Sequence, residues 1–570
     1  MFNTFKNQIY VLLYSIKMKV PVKKTILLLL TVICLNTAFA QKKLTETEKL
    51  TTTAKVWGFL KYYHPNVADG KYNWDEELFK ILPRVENCDN TVELSQLYLD
   101  WINSLGNIKK CKKCTTKNDI KNFDKNFDLS WIRNRQLFTS ELSDKLKYIE
   151  INRHQGKKHY VSVKNKRVGN IEITNEIEYK NFNWKSKNLR LLSLFRYWNI
   201  IEYFFPYKYQ TDTNWNEVFN KMISKFLDPK TEIEYHLAML ELIVSIDDSH
   251  GSFTTKKTNK FFGYYWAPLR FKLIDEKVII TGFYNDSLSK IDDLKIGDVI
   301  TKVNNQKITT IFKQKEKYIN GSNISRKKAN AYYSIFNGST NSVKIEYIRN
   351  NKTYTKSIKR YLFNVFNYKR KNESENYKIL NGNIGYVNMG KIKIKEVPKV
   401  MESLKNTKAI IFDIRNYPNG TYTSIVQHIK SKKSDFYKVI YPNLNYPGKF
   451  IWRNGNKYGR KGDLIYKGKV VLLVNEKSQS HAEFTAMCLQ TGDNVTTIGN
   501  QTSGADGNVS MFVMVGGYKT MITGIGIFYP DKTKTQRKGV KIDIVIKPTI
   551  KGIIENKDEV LGKAIEFINE

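Results

Sequence analysis

The chain has 570 residues, of which 41% are hydrophobic and 13% aromatic, which is sufficient for folded domains. The chain is longer than a single hydrophobic core can support, so we expect about three or four domains. The net charge is +40, but the basic residues are scattered and form no nucleic-acid-binding motif. We therefore interpret the charge as a basic, solvated surface and predict no nucleic-acid partner.

Residues 18–40 have the organisation of a secretory signal peptide. Three lysines precede an apolar run at 25–35, and A-F-A at 38–40 forms a cleavage site before Gln41. Met18 is then a candidate start. The apolar run is short for a membrane span, and no later run is long enough. The sequence thus predicts an exported protein, periplasmic or extracellular, without stable membrane insertion.

Cys111 and Cys114 form a C-x-x-C motif in the exported part of the chain. A zinc site would need two more ligands, and no His or Cys pair lies nearby. An exported chain favours a local disulfide instead. Cys488 falls on an apolar helical face, and we expect it to be buried.

Residues 41–260 are predicted to be mostly helical, with an internal duplication. In the first copy, Pro65 follows Trp57 by eight residues and a second tryptophan follows nine later; the second copy repeats both spacings from Trp198. His64 has an apolar counterpart in the second copy, so we interpret it as structural. The intervening residues 105–185 predict a small sheet or a variable insertion.

Two other histidines, His236 and His428, lie inside predicted helices, and we interpret both as structural.

Residues 264–360 predict a β-rich module, with strands at 268–273, 278–281 and 342–348. Residues 294–308 resemble the L-x-x-G-D-x-I-x-x-V-N signature of PDZ domains. That resemblance implies a PDZ-like domain, in which Ile300 and Val303 face the core and extended peptides bind by strand addition. The alternative is a small β-module that only packs against its neighbour.

After a polar linker at 369–376, residues 377–570 alternate strand and helix. Strands are predicted at 384–389 and 409–414, with a helix at 397–404 between them. This order is typical of an α/β layer with parallel strands.

One strand–turn–helix in this last domain carries a candidate nucleophile. Residues 470–474 predict a buried strand, 475–478 are polar, and a helical apolar stripe begins after Ser480. A serine at a helix start can attack a carbonyl while unpaired N–H groups hold the oxyanion. It can equally be a plain helix N-cap.

The segment V-L-L-V-N-E-K-S-Q-S-H-A-E-F resembles the nucleophile segment of the tail-specific, or C-terminal processing, serine peptidases and their tricorn-type relatives. The resemblance implies that Ser480, the second serine of S-x-S-x-x-E, is the nucleophile. Residues 498–505 resemble the family's G-x-x-T-x-G-K turn, but Ala505 replaces its catalytic lysine. This departure favours the tricorn-like branch, in which a histidine is the base.

The segment D-D-S-H-G at 247–251 resembles the family's D-S-H segment. It implies that His250 is the general base and that Ser249 helps to orient the imidazole. A helix cap is the alternative interpretation of this segment. Residues 413–420 resemble the D-x-R-x-x-x-x-G turn, which implies that the amides of Gly420 and His481 hold the oxyanion.

The acid that orients the base in tricorn-like members is not found where it is expected. Relatives often have E-T-Q-R where this chain has K-T-Q-R at 534–537, so Lys534 stands in place of the glutamate. Asp531 is a second candidate for the acid. A missing acid would leave a slow enzyme that Lys534→Glu accelerates.

The sequence as a whole predicts a multidomain α+β protein: a signal peptide at 18–40, a helical domain at 41–260, a PDZ-like domain at 264–360 and an α/β peptidase core of the ClpP/crotonase type at 377–570. The resemblance implies a serine endopeptidase that needs neither metal nor nucleotide cofactor. Unstructured peptides or protein C-terminal tails are the expected substrates. The alternative is a weak or inactive peptide-binding protein on the same scaffold, for which Lys534 is the best support.

Overall fold

The computed structural model describes residues 43–114, 122–165, 167–366, 375–460 and 465–570. The predicted signal peptide, the cleavage site before Gln41 and most of the predicted linker at 369–376 lie outside these ranges. Within the described ranges, no helix is both long enough and apolar enough to cross a membrane.

Residues 43–262 fold mainly into helices, which confirms the predicted helical region. The helices are α1 (Glu46–Tyr63), α2 (Pro65–Ala68), α3 (Trp74–Glu86), α4 (Thr91–Ser104), α5 (Ser140–Ile151), α6 (Lys187–Phe204), α7 (Trp215–Leu227), α8 (Glu232–Val244) and α9 (Lys256–Phe262). The strands are β1 (Asn122–Phe123), β2 (Val161–Val163) and β3 (Ile171–Ile173). Strands β2 and β3 pair antiparallel within the stretch for which the sequence predicts a small sheet.

The two copies of the predicted duplication form the same indole pair. Trp57 Nε1 donates to the carbonyl of Trp74, and Trp74 Nε1 donates to the carbonyl of Trp57, each at 3.0 Å. Trp198 and Trp215 exchange the same two bonds at 3.1 Å. Because buried N–H groups require acceptors, each pair fixes a long helix, its proline stop and the next helix as one unit.

Helices α1 and α6, the first of each copy, pack closely against each other. A Cβ atom on Gly58 would lie 1.7 Å from Asn199 Oδ1, so only glycine permits this approach. His64 follows α1 and is fully buried, and its ring nitrogens have no hydrogen-bond partner among the described residues. Burial lowers the pKa of His64 to about 4. A neutral, packed imidazole agrees with the structural interpretation of this residue.

Residues 265–362 form the β-rich module. Its elements are β4 (Tyr265–Trp266), β5 (Leu269–Ile274), β6 (Lys277–Phe283), α10 (Asp286–Ile291), β7 (Val299–Val303), β8 (Gln306–Lys307), α11 (Ile308–Lys315), α12 (Ile324–Asn330), β9 (Ser342–Arg349), β10 (Lys352–Lys359) and β11 (Tyr361–Leu362). An antiparallel sheet has the order β10-β9-β7-β6-β5, and β8 pairs with β7. Ile300 and Val303 are buried in the module's core, as predicted.

The remaining residues form the α/β layer. Its helices are α13 (Val397–Leu404), α14 (Tyr422–Ile429), α15 (His481–Leu489), α16 (Ile550–Ile554) and α17 (Glu559–Asn569). Its strands are β12 (Tyr377–Leu380), β13 (Ile384–Asn388), β14 (Ala409–Asp413), β15 (Ser434–Asp435), β16 (Lys438–Pro442), β17 (Phe450–Asn454), β18 (Lys457–Tyr458), β19 (Lys469–Val474), β20 (Val495–Gly499), β21 (Val509–Val513), β22 (Lys519–Thr523), β23 (Gly526–Phe528) and β24 (Ile544–Val545).

The central sheet of this layer has the order β12-β13-β14-β19-β20-β24. Strand β12 pairs antiparallel with β13, and every other neighbouring pair is parallel. The carboxyl ends of parallel strands share one edge of a sheet, where α/β proteins place their sites. The turn after β14 and the turn after β19 therefore lie side by side.

The helical region is joined to the α/β layer by a shared sheet and by buried bonds. Strand β1 pairs with β17 in a four-stranded sheet of order β1-β17-β16-β23. The hydroxyl of Tyr207 accepts from the N–H of Ile527 at 2.6 Å and donates to its carbonyl at 3.2 Å. These contacts hold the helical region against β17, which precedes the strand–turn–helix at Ser480, and β23, which follows it.

The described cysteines follow the sequence predictions. Cys111 and Cys114 are bonded to each other, which confirms the local disulfide. Cys488 is a buried free thiol on α15.

The indole pairs give a first prediction. Trp198→Phe removes a buried N–H donor and leaves the carbonyl of Trp215 without its partner, so we expect a loss of about 2–4 kcal/mol in the free energy of unfolding. The matched control is Trp131→Phe, at a half-buried tryptophan, with an expected cost below about 1 kcal/mol. Urea unfolding followed by fluorescence measures both. Equal costs for the two variants would contradict the proposed importance of the pair.

Candidate active site

Ser480 lies where the central strand β19 turns into helix α15. The strand is buried between β14 and β20, and the turn that follows it is held by Ser478. The hydroxyl of Ser478 accepts from the N–H of Asn475 at 3.2 Å and donates to the carbonyl of Ile414 at 3.0 Å. The serine before the candidate nucleophile is therefore a structural part of the turn.

The backbone of Ser480 is in a conformation that side chains rarely adopt, with φ 55° and ψ −119°. Such a conformation costs of the order of 1–3 kcal/mol and persists only where its surroundings fix it. The N–H of Ser480 donates to the carbonyl of Ala505 at 3.0 Å and to Glu483 Oε2 at 3.1 Å. Ala505 thus acts through its backbone, at the position where relatives have a lysine.

Glu483 is fully buried one turn into α15, and its carboxylate holds the nucleophile turn and the 502–505 loop together. Besides the N–H of Ser480, it accepts the N–H of Gly504 at 2.7 Å, the N–H of Ala505 at 3.0 Å and the hydroxyl of Thr502 at 2.5 Å. Burial raises the pKa of Glu483, although these four bonds oppose the shift. The sequence alone indicates no role for Glu483 beyond its place in the S-x-S-x-x-E motif.

His250 follows the end of α8 and contacts a buried acid. Its Nδ1 lies 2.8 Å from Thr523 Oγ1 and 3.4 Å from Asp248 Oδ1. Asp248 also accepts the N–H of His250 at 3.1 Å and the N–H of Thr523 at 2.7 Å. Burial acts to raise the pKa of Asp248, but the bonds and charge of His250 and the amide of Thr523 outweigh it and lower the pKa. Asp248 is therefore an ionised carboxylate directly behind the imidazole.

The same bonds assign the tautomer of His250. The single hydroxyl hydrogen of Thr523 is donated to Asp248 Oδ1 at 2.9 Å, because a carboxylate can only accept. Thr523 Oγ1 must then accept from His250, which places the proton on Nδ1. The second ring nitrogen, Nε2, keeps its lone pair and is free to act as a base.

Ser249 links the base segment to the nucleophile turn. Ser503 Oγ donates to Ser249 Oγ at 2.9 Å and lies 3.0 Å from Gln479 Oε1. The residues immediately before His250 and Ser480 are thus joined through one serine. Ser249 Oγ bonds to Ser322 and Ser503, and among the described residues it has no bond to the imidazole. It therefore orients the segment, whereas the sequence predicted that it orients the ring.

Gly420 and His481 meet beside the start of α15. Gly420 has φ 75°, and a Cβ atom there would lie 3.9 Å from His481 Nε2. The first N–H groups of a helix have no partner within it, which leaves the amide of His481 available to a ligand. The His481 ring packs against Tyr417 and Tyr422, and burial lowers its pKa.

The structure brings neither candidate from the closing segment to the imidazole. Lys534 is exposed, with its ammonium 5.1 Å above the ring of Tyr209. Asp531 is exposed, accepts from the N–H of Thr533 at 2.8 Å and lies 3.5 Å from Lys541 Nζ. The expectation of a missing acid is therefore corrected, because the carboxylate of Asp248 lies beside Nδ1 of His250.

The sequence contained one signal for Asp248. In a local turn, an aspartate often accepts the N–H of the residue two positions after it. Asp248 and His250 have this spacing in D-D-S-H. Thr523 is 273 positions from His250, and no local pattern relates the two. No group of three or more His, Cys, Asp and Glu in the described part of the chain could hold a metal ion.

Comparisons with known proteins agree with this architecture. Residues 383–546 match the model of peptidase family S41. No curated protein matches the chain.

Among solved structures, mature CPAF is 12% identical, with 67% of this chain and 98% of that chain covered and a TM-score of 0.53. Its complex with lactacystin gives 12% identity, 67% and 99% coverage and a TM-score of 0.52. A putative peptidase from Parabacteroides merdae is 14% identical, with 67% and 97% coverage and a TM-score of 0.41. At 12% identity, the similarity to CPAF is evidence for a shared fold alone.

The position of Asp248 gives a second prediction. Asp248→Asn keeps the size of the side chain but removes the charge that stabilises a protonated His250, so peptide turnover should fall roughly 10²- to 10⁴-fold in kcat, with little change in KM. Asp531→Asn and Lys534→Glu change exposed side chains and should leave turnover within about threefold of wild type. If Asp531→Asn were as damaging as Asp248→Asn, the assignment of the acid would be wrong.

Proposed function

We propose that this chain, in which residues 383–546 match peptidase family S41, is a serine-type peptidase with Ser480 as its nucleophile and His250 as its general base. The observation that carries this proposal is the Asp248–Thr523–His250 arrangement, which leaves Nε2 unprotonated. Its support is chemical: a serine hydroxyl is a weak nucleophile unless an adjacent base takes its proton.

In the proposed reaction, Ser480 Oγ attacks the carbonyl carbon while its proton passes to His250 Nε2. The N–H groups of His481 and Gly420 stabilise the oxyanion that forms. The charge of Asp248 stabilises the imidazolium, which returns the proton to the leaving amine. Water then enters as the second nucleophile, again with His250 as base, and releases the acid product and Ser480.

The proposed substrates are unstructured peptides or protein C-terminal tails outside the cytoplasm. The signal-peptide pattern at 18–40 supports export. A PDZ-like role for residues 264–360 is part of this proposal, because an antiparallel sheet can bind an extended peptide by strand addition. An extended substrate also suits the edge of a parallel sheet, where the turns after β14 and β19 lie together.

The alternative is a weak or inactive peptide-binding protein on the same scaffold. Its main support was Lys534 at the expected position of the acid. Because Asp248 supplies a buried carboxylate to His250, that support is removed and the enzyme is favoured.

A turnover assay with fluorogenic casein tests the proposal. Ser480→Ala and His250→Gln should each lower turnover at least about 10³-fold, because each removes a reacting group. His428→Gln is the matched control, since this half-buried histidine lies on α14; its turnover should stay within about threefold. Wild-type turnover by Ser480→Ala would contradict the assignment of the nucleophile. No turnover by the wild-type protein would contradict the proposed peptidase and leave peptide binding as the function.

A further inference from the structure

A cavity of about 810 Å³ opens between the helical region and the β-rich module. It begins at Gly251 and Ser252, directly after the proposed base. Eight of its 21 lining residues are aromatic. Six of these come from α9, from β4 and from the segments around α12 and β11: Phe262, Tyr264, Trp266, Tyr332, Tyr333 and Phe363. This volume is typical of a ligand site, and the aromatic wall favours an apolar occupant.

Arg326 is the one charged side chain among the described residues that line this cavity. It lies on α12, and its Nη1 donates to the carbonyl of Glu476 at 3.2 Å. Its Nε is buried and has no hydrogen-bond partner in the described part of the chain. A buried donor of this kind has a cost unless something accepts from it.

The charge of Arg326 has no partner either. Among the described residues, no carboxylate lies within ion-pairing distance of its guanidinium. The nearby carboxylates have other partners: Glu476 pairs with Lys272 at 3.1 Å and accepts from Asn500 at 3.1 Å, and Glu483 has the four donors described above. Arginine stays charged in proteins. The charges of Glu476 and Glu483 act on Arg326 from beyond ion-pairing distance, so its guanidinium faces the cavity without a directly paired carboxylate among the described residues.

Arg326 also connects the cavity to the turn that carries the proposed nucleophile. Glu476, whose carbonyl it contacts, belongs to the turn that leads from β19 to Ser480. Gly251, the residue after His250, lines the same cavity as Arg326. The guanidinium is therefore available to a peptide that extends from the proposed base into the cavity.

We propose that this cavity binds the substrate segment next to the cleaved bond, and that Arg326 pairs with a carboxylate of that segment beside an aromatic or large apolar side chain. The inference rests on the proposed function for the identity of its ligand as a peptide. The carboxylate has two sources, an Asp or Glu side chain or the C-terminus of the chain. Planar carboxylates match the two-donor edge of a guanidinium, which gives selectivity as well as affinity.

Binding to Ser480→Ala protein tests the proposal without turnover. Three fluorescent peptides share one phenylalanine-containing sequence: one carries Glu and an amidated end, one carries Gln and a free carboxylate, and one carries Gln and an amidated end. We expect at least one carboxylate peptide to bind roughly tenfold more tightly than the neutral peptide. Which of the two binds more tightly identifies the source of the carboxylate.

Arg326→Gln should abolish this preference and change the affinity for the neutral peptide by less than about twofold. Lys328→Gln, which removes one exposed charge from the same helix, should keep the preference. Phe363→Ala should weaken binding of the phenylalanine peptide. The loss should be roughly fivefold greater than for the same peptide with alanine in place of phenylalanine. This last result would place the peptide in the cavity.

Equal binding of the three peptides would overturn the inference, as would a preference that survives Arg326→Gln. If Arg326→Gln does not fold, the peptide series on the Ser480→Ala protein decides alone. Because the readout is binding, the two proposals fail separately. If the Ser480→Ala protein shows the preference but the wild-type protein cleaves no peptide, the proposed function is contradicted and this site stands.

Discussion

The geometry of the active site depends on the buried carboxylate of Glu483. A strained Ser480 backbone costs of the order of 1–3 kcal/mol, while each hydrogen bond to a charged group contributes about 1.5–3 kcal/mol. Four donors, including the N–H of Ser480, converge on this one carboxylate. Together these bonds offset both the backbone strain and much of the cost of burying the carboxylate, and they fix the 502–505 loop against the nucleophile turn.

The base reaches this turn from a distant part of the chain. Asp248 and His250 follow a helix of the N-terminal region, whereas Thr523 ends a hairpin strand of the α/β layer. The bonds among these three residues orient the imidazole only when the two regions are docked. Tyr207 and strand β1 supply that docking through buried bonds and a shared sheet. Catalysis therefore depends on the stability of the contact between the two regions.

Much of the architecture was predictable because it follows local periodicity. The helix at 397–404 has the predicted bounds, and the strand before Ser480 differs by one residue. The orienting acid was not predictable in the same way. Either aspartate of D-D-S-H could face the ring, and the choice depends on Thr523, far along the chain. Lys534 was a misleading signal, because a family sequence pattern does not reveal which side chain reaches a buried imidazole.

Labelling with a fluorophosphonate distinguishes an activated serine from an ordinary one, because this probe reacts with a serine only when a base activates it. Peptide mapping by mass spectrometry locates the adduct. The account predicts a single adduct on Ser480, formed at least about 100-fold more slowly in His250→Gln than in wild type. An adduct on another serine, or equal labelling rates in the two proteins, would contradict the assignment of Ser480 and His250.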